Sequence, residues 1–415
     1  MILKKEVTCY ILLDGFKPDY VKDTDFIKLN CKKLYSIEEA FGFQSFRPAV
    51  FAGVFPEDTG ICWIWIYSPF RSPYKILRNL VKLFPERLNI FLKKITYFPL
   101  TVSLYLLKNI LLNKTLPLYS PLNIPFNLLP FFDISEKKMV YEEGYINNKT
   151  LFDLLRENKK EFIYIGYPNK IFTEKNYSLK ELSEKIEDKK PSFIFLHMNV
   201  SDRLGHKYGP SSGKMRSLHK IEDEFVKNTY NLLKKKYRDV NLIVAGDHGM
   251  VDVKSKVDIW KELKKSSLVL GNDYVVFLDS SMARFWFSKE HAKNEIETIL
   301  KGLGWFGKTL NKKDKRKYNV RFNDRRQGDL IWVANPGVLI SPNFHSAEGN
   351  VKGMHGYLPS IKENKGFFMI KSEKKTLHKN LENIKMVDIF PTLCELLEIE
   401  IPKSCRGKSL LKNDD

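Results

Sequence analysis

Cysteine is scarce in this chain of 415 residues, and what there is does not cluster. Cys9, Cys31, Cys62, Cys394 and Cys405 are scattered, odd in number and contain no C-x-x-C pair. This pattern argues against a disulfide framework and against a cysteine-ligated zinc site. Long apolar runs are missing too: the longest, Phe98 to Leu107, is too short to span a bilayer. The start, Met1-Ile-Leu-Lys-Lys-Glu, passes directly into a strand-like run, without the apolar stretch and small-residue cleavage site of a secretory leader. Reduced thiols and the lack of a leader lead us to expect a cytoplasmic protein, peripheral to a membrane at most.

Acidic residues are in the minority, 49 against 69 Lys and Arg, for a formal charge of +20. Such an excess bears on solubility and on anionic partners, not on fold. It admits nucleic acid, anionic lipid and phosphorylated substrates. Runs such as Lys234–Lys236 and Lys312–Lys317 also read simply as solvated surface. The hydrophobic fraction, 43%, is that of a globular chain, long enough for one large α/β domain with insertions or for two ordinary domains.

Three apolar runs read as buried parallel strands, and each delivers an acid at or beyond its end. Val7–Leu13 ends in Asp14-Gly15, Phe193–Met198 leads toward Asp202, and Leu242–Ala245 leads to Asp247-His248. Open α/β sheets place their ligands at the carboxyl ends of strands. Leu151–Glu157, Leu179–Ile186 and Ser212–Lys235 show helical spacing; in the last, Met215, Leu218, Ile221 and Phe225 fit one buried stripe. Met386–Leu397 reads as a helix with a break or a start at Pro391.

Two stretches depart from this alternation. Between Arg71 and Lys114 there are nine Lys or Arg and one acid, Glu86, interleaved with apolar and aromatic side chains. Residues 266–350 carry strand-like runs at Tyr274–Leu278 and Arg284–Phe287. The expected organisation is a catalytic core of residues 1–62, 146–265 and 351–415, interrupted by insertions 63–145 and 266–350 that cap the active site. The first insertion, with Trp63, Trp65, Tyr67, Phe70 and Tyr74, suits an anionic membrane, a single-strand nucleic-acid groove or an ordinary packed cap. Nucleic acid is the less favoured, for lack of a recognisable module. The turn Asp279–Arg284 fits either a loop over the substrate or an internal Asp–Arg pair.

The chemistry lies in the histidines. Asp202 and His206 are four apart and can share one helical face around a metal. Gly246-Asp247-His248-Gly249 ends a strand, with glycines that permit close approach, and His355 precedes Gly356 in a loop. Only eight histidines exist. Three acids and three histidines supply nitrogen and oxygen ligands for two divalent ions, which suits zinc and admits manganese.

Asp14-Gly15-Phe16, the run from Asp202 through Gly205-His206 to Pro210, Asp247-His248-Gly249-Met250 and His355-Gly356-Tyr357 resemble, in order and rough spacing, the motifs of the nucleotide pyrophosphatase/phosphodiesterase branch of the alkaline phosphatase superfamily. Phe55–Ile61 resembles the segment after that family's nucleophile, with Thr59 where a His is common, and Val387–Leu393 resembles its C-terminal helix. The resemblance implies a mostly parallel sheet sandwiched by helices, and hydrolysis of a phosphodiester or pyrophosphate. It implies one metal on Asp202, His206 and His355, and another on Asp14, Asp247 and His248 beside a Thr or Ser nucleophile at a helix N-terminus. Ser45 is the only hydroxyl between Ser36 and Thr59, and so the candidate nucleophile and a further metal ligand. The family's Pro-Asn after that residue is absent, and the gap to Gly53 is shorter. Ser45 as a plain helix cap is the alternative. Arg47 is the candidate contact for a substrate phosphate oxygen or a surface charge, and it leans toward a phosphomonoester or phospho-group transfer. A metal-stabilised binding protein without chemistry is the reading of another class.

Overall fold

A computed structural model describes the chain except residues 1–3, 32, 76–77, 79–122, 126, 168–170, 346–350, 379–380, 382–383 and 413–415. Most of the basic stretch 71–114, and all of the apolar run 98–107, lie outside the described residues. The described chain divides into two units: residues 1–59, 138–253 and 351–415, and residues 60–137 and 254–350.

The first unit is built on β1 (Lys4–Leu13), β2 (Tyr35–Glu38), β3 (Phe162–Ile165), β4 (Phe193–Met198), β5 (Tyr237–Ala245), β6 (Gly366–Lys371) and β7 (Ile384–Lys385), in the order β7-β2-β6-β5-β1-β4-β3. The strands β5, β1, β4 and β3 run parallel, as does β7 with β2, and β6 is antiparallel to both its neighbours. The sheet is thus mostly parallel, and the central strands β1 and β4 are apolar on both faces because helices cover both.

On one face, Val7, Cys9, Ile11 and Leu13 of β1 and Ile194, Leu196 and Met198 of β4 are buried. They share that core with Leu182 and Ile186 of α3 (Leu179–Lys189) and Met215, Phe225, Val226 and Leu233 of α5 (Met215–Lys236). On the other face, Phe195 meets Tyr10, Tyr164 and Phe51 with ring centroids 4.9–5.4 Å apart. Phe51 belongs to α1 (Phe46–Ala52), and it packs 5.0 Å from Phe152 of α2 (Leu151–Glu157). A capping box starts α2: Asp153 N–H donates to Thr150 Oγ1, and Thr150 N–H donates back to Asp153.

Two sequence expectations shift. The buried residues of α5 are Met215, His219, Glu222, Asp223, Phe225, Val226, Thr229 and Leu233, so Met215 and Phe225 are buried as expected while Leu218 and Ile221 are only half-buried. Four of those eight side chains, His219, Glu222, Asp223 and Thr229, are polar, so a purely apolar pattern finds only part of the buried face. At the C-terminus, a 3-10 turn (Met386–Asp388) precedes α6 (Ile389–Leu396). Pro391 stands in the first turn of α6, where a backbone N–H has no intrahelical acceptor.

The second unit carries an antiparallel sheet of strands Tyr274–Leu278, Met282–Phe287, Leu330–Ala334 and Gly307–Thr309, adjacent in that order. It also holds the pairs Trp65–Tyr67 with Phe132–Ile134 and Ser255–Val257 with Val338–Ile340. Asp279 and Arg284 form an internal pair here, with Nε 3.2 Å from Oδ2 and both side chains at most 1% exposed. The guanidinium lies 4.6 Å from the Trp63 ring and 5.0 Å from the Phe277 ring.

Candidate active site

Three neighbouring parallel strands end at one place, and that register assembles the site within the first unit. Leu13 is level with Met198, and Leu12 with Ala245. Asp14, Asp202 and Asp247 therefore emerge side by side. Backbone bonds tie the three exits together: Asp14 N–H donates to Met198 O, and Asp202 N–H donates to Asp14 O, both at 2.9 Å. Gly15 N–H donates to Asp247 Oδ1 at 3.1 Å. Gly15 has a φ of +72°, and a Cβ on it would sit 2.9 Å from Asp202 Cα, so the approach of β1 to Asp202 requires glycine.

α4 (Ser201–Tyr208) places Asp202 and His206 one turn apart on one face. His206 donates through Nδ1 to Gly353 O, and His248 through Nδ1 to Gly249 O, each at 2.8 Å. In the neutral ring, a donor at Nδ1 leaves Nε2 with the lone pair that a metal takes. His206 Nε2 is 3.1 Å and His355 Nε2 3.4 Å from Asp202 Oδ1. His248 Nε2 is 3.4 Å from Asp14 Oδ1 and 3.7 Å from Asp247 Oδ1. The rings of His248 and His355 stack 3.7 Å apart.

The six proposed aspartate and histidine ligands are thus brought together, while the hydroxyl of Ser45, the seventh, is held by Phe41 O. Two sets have ligand atoms within 4.8 Å of one another: Asp14 with Asp247 and His248, and Asp202 with His248 and His355. His248 reaches both sets, while His206 adjoins the second through Asp202. Asp202 Oδ1 is buried and accepts no hydrogen bond, although two imidazole nitrogens face it within 3.4 Å. An orphaned carboxylate oxygen facing two imidazole nitrogens is what a divalent cation with nitrogen and oxygen ligands would satisfy, so the residues fit such an ion.

The electrostatics show how strongly these groups feel one another. Burial pushes the Asp14 carboxyl up, but hydrogen bonds and charge from His197 and His248 outweigh it and hold it well below the usual carboxylate range. Burial and the Asp14 charge lift Asp247 to about 6. Asp202 ends lowered: burial and Asp14 raise it, but His206 and His355 outweigh them. Burial lowers His206 and His248, yet the facing carboxylates leave both raised overall. Burial, and then the charge of His248, drive His355 down. Crowded charges of this kind mark functional sites.

Sequence reasoning missed four residues. His197, on β4, donates through Nε2 to Asp14 Oδ2 at 2.7 Å, and Asn199 Nδ2 donates to the same oxygen at 3.1 Å. Together they occupy Oδ2 and turn Oδ1 toward His248. The signal was a lone imidazole inside the apolar run Phe193–Met198. Glu222 is buried on α5, and Glu39, half-buried after β2, pairs with Asn364 Nδ2. Burial pushes each of these two carboxyls up to about 8.

Ser45 stands at the N-terminus of α1, 1% exposed, and its hydroxyl donates to Phe41 O at 2.6 Å. In the same loop the Phe43 ring meets His355 edge-on at 5.4 Å. Arg47 donates to Gln44 Oε1 and lies 5.5 Å from the Tyr167 ring.

The sequence model of the family described as type I phosphodiesterase / nucleotide pyrophosphatase matches residues 135–358. That span holds Asp202, His206, Asp247, His248 and His355 and begins beyond Asp14 and Ser45. Ectonucleotide pyrophosphatase/phosphodiesterase family member 7 of Mus musculus is 24% identical over 245 residues, 58% of this chain and 55% of the relative. The Homo sapiens family member 5 is 25% identical over 207 residues, 49% of this chain and 42% of the relative. This chain spans about half the length of the curated relatives it matches. Among solved structures, an inactive variant of murine ectonucleotide pyrophosphatase/phosphodiesterase 5 in complex with AMP superposes with a TM-score of 0.66 at 18% identity, covering 98% of this chain and 100% of that one. The likeness in structure shows a shared fold. With more than half of its 415 residues matched, on strands that converge on three acids and three histidines, the chain belongs to the type I phosphodiesterase/nucleotide pyrophosphatase family, a branch of the alkaline phosphatase superfamily.

Proposed function

We propose that this chain is a metal-dependent hydrolase of a phosphodiester or pyrophosphate bond in a nucleotide-like or lipid- or sugar-linked substrate. The observation that carries the reading is the convergence of Asp14, Asp247 and His248 with Asp202, His206 and His355 at the ends of β1, β4 and β5. Asp14, Asp247 and His248 would hold one divalent ion, and Asp202, His206 and His355 a second, zinc being the choice that suits their donors. Such ions, when bound, supply Lewis acidity to a phosphoryl group and lower the pKa of a nearby hydroxyl or water.

Ser45 is the proposed nucleophile. Its Oγ forms the bond to phosphorus as the bond to the leaving oxygen breaks. Water then cleaves the phosphoserine and returns the hydroxyl. The hydroxyl must first leave the Phe41 carbonyl, which a turn about χ1 accomplishes. Arg47 would steady a phosphate oxygen, exchanging Gln44 for the substrate. A second reading is favoured by the position of Phe43 against His355: water attacks phosphorus directly, and Ser45 only begins α1. We place the enzyme in a reducing compartment, a reading supported by its five cysteines, none of which is in a disulfide.

The test is hydrolysis of a p-nitrophenyl phosphodiester and of the matching monoester, with added zinc, by wild type and Ser45→Ala. Zinc-dependent diester turnover that vanishes with Ser45→Ala supports both steps. Persistent turnover in that variant, with inversion at a chiral phosphorothioate, selects direct attack by water. A metal-loaded wild type that cleaves neither ester refutes simple ester hydrolysis.

A further inference from the structure

Glu222 is none of the proposed ligands, yet it is fully buried and spends both carboxylate oxygens on one residue beside them. Ser201 N–H donates to Oε1 at 2.9 Å, and the Ser201 hydroxyl donates to Oε2 at 2.7 Å. Ser201 is the first residue of α4 and precedes Asp202. Val200, at the cap position of α4, offers no side-chain acceptor, and Asn199 Oδ1 before it accepts only from Arg203 N–H, at 3.0 Å, leaving the N–H groups of Ser201 and Asp202 to be met from elsewhere. The first N–H groups of a helix lack intrahelical acceptors and must find them elsewhere. Here one acceptor comes from α5, through Glu222. The next N–H, of Asp202, is taken by Asp14 O at 2.9 Å. Both N–H groups at the head of α4 are therefore held from outside the helix. The second carries Asp202, and His206 follows one turn later on the same face.

We propose that Glu222 is a positioning residue for the metal centre. Through Ser201 it fixes the first turn of α4, so that Asp202 Oδ1 and His206 Nε2 meet with the separation a shared divalent ion needs. The inference rests on the two-ion reading above and adds a residue of α5 to it. The choice of side chain follows from the geometry. An apolar residue at 222 would leave a buried N–H and a buried hydroxyl unmet, freeing the helix start to shift. A glutamine keeps the length and can still accept from Ser201 N–H, while the serine hydroxyl turns to accept from its amide.

The experiment titrates cobalt(II) into the full chain stripped with chelator. It follows the visible bands, which report ligand geometry, and compares wild type with Glu222→Gln, Glu222→Met and Ser201→Ala. Circular dichroism of each metal-free variant checks that it is folded. We expect two binding steps in wild type and in Glu222→Gln, with affinities within about threefold of each other. In Glu222→Met, one step should weaken by about 10–100-fold with altered bands, and the other should stay. Ser201→Ala, which keeps the N–H bond, should weaken the same step by less. If Glu222→Met fails to fold, Ser201→Ala decides alone. A folded Glu222→Met with wild-type binding overturns the proposal. So does a loss spread equally over both steps, or a Glu222→Gln as weak as Glu222→Met, which would point to charge rather than placement. A wild type that takes up no ion refutes the two-ion reading itself and is distinct from all of these.

Discussion

Replacing His197 by alanine should weaken metal binding at Asp14 without unfolding the protein. Asp14 Oδ2 accepts from His197 at 2.7 Å and from Asn199 at 3.1 Å, while Oδ1 faces His248 at 3.4 Å. The first two bonds fix the carboxylate's rotation. A hydrogen bond to a charged acceptor contributes roughly 1.5–3 kcal/mol, and removal leaves one of the two holding Oδ2. Taking about 2 kcal/mol, with about 1.4 kcal/mol per decade, the binding constant should fall on the order of 30-fold. That agrees with the roughly 10–100-fold expected when a partner of a metal ligand is lost. The Asp14 carboxyl should also titrate higher, since His197 is one of the two groups that hold it down. Calorimetric titration of zinc into the metal-free chain measures the first effect, and His197→Gln, which keeps a donor, should recover part of it. Two unchanged binding steps in His197→Ala would refute the view that Asp14 is oriented from β4.

Two further outcomes follow from the packing and the buried carboxyls. Gly246→Ala would bring a Cβ to 1.9 Å from Phe16 O, a backbone atom with nowhere to go. It should cost about 1–3 kcal/mol or more in urea unfolding, whereas Gly213→Ala, with nothing within 4 Å, should not; equal midpoints would count against the tight approach. Glu222 is raised to about 8, chiefly by burial, so the folded state keeps a proton that the unfolded chain releases near the ordinary carboxylate value. Its stabilising share is then complete below that value and is lost as pH rises toward 8. The metal-free stability of wild type minus that of Glu222→Gln should therefore decline across this window, and parallel pH curves would refute the assignment.

The proposed ligands were legible in the sequence because of a physical constraint on strands. A strand buried on both faces is mostly apolar, so a charged side chain such as Asp14 or Asp247 is most easily accommodated where β1 and β5 leave the sheet. The glycines around them mark where backbones nearly touch, as at Gly15 and Gly246. Periodicity found Met215 and Phe225 but not the whole buried face of α5, because His219, Glu222, Asp223 and Thr229 look solvent-facing in a pattern that counts only apolar residues. Their burial depends on partners such as Asp23 and Ser201, which lie far away in the chain. His197 was hidden for the same reason, since its meaning comes from the parallel register that sets it beside Asp14. The direction of the Ser45 hydroxyl is a side-chain torsion decided by the nearness of the Phe41 carbonyl. Sequence located the acids and histidines proposed to bind metal, because apolar strands leave charged residues to their ends. Tertiary structure decided which atoms face one another, because register and hydrogen bonds between distant segments set the orientation of each side chain.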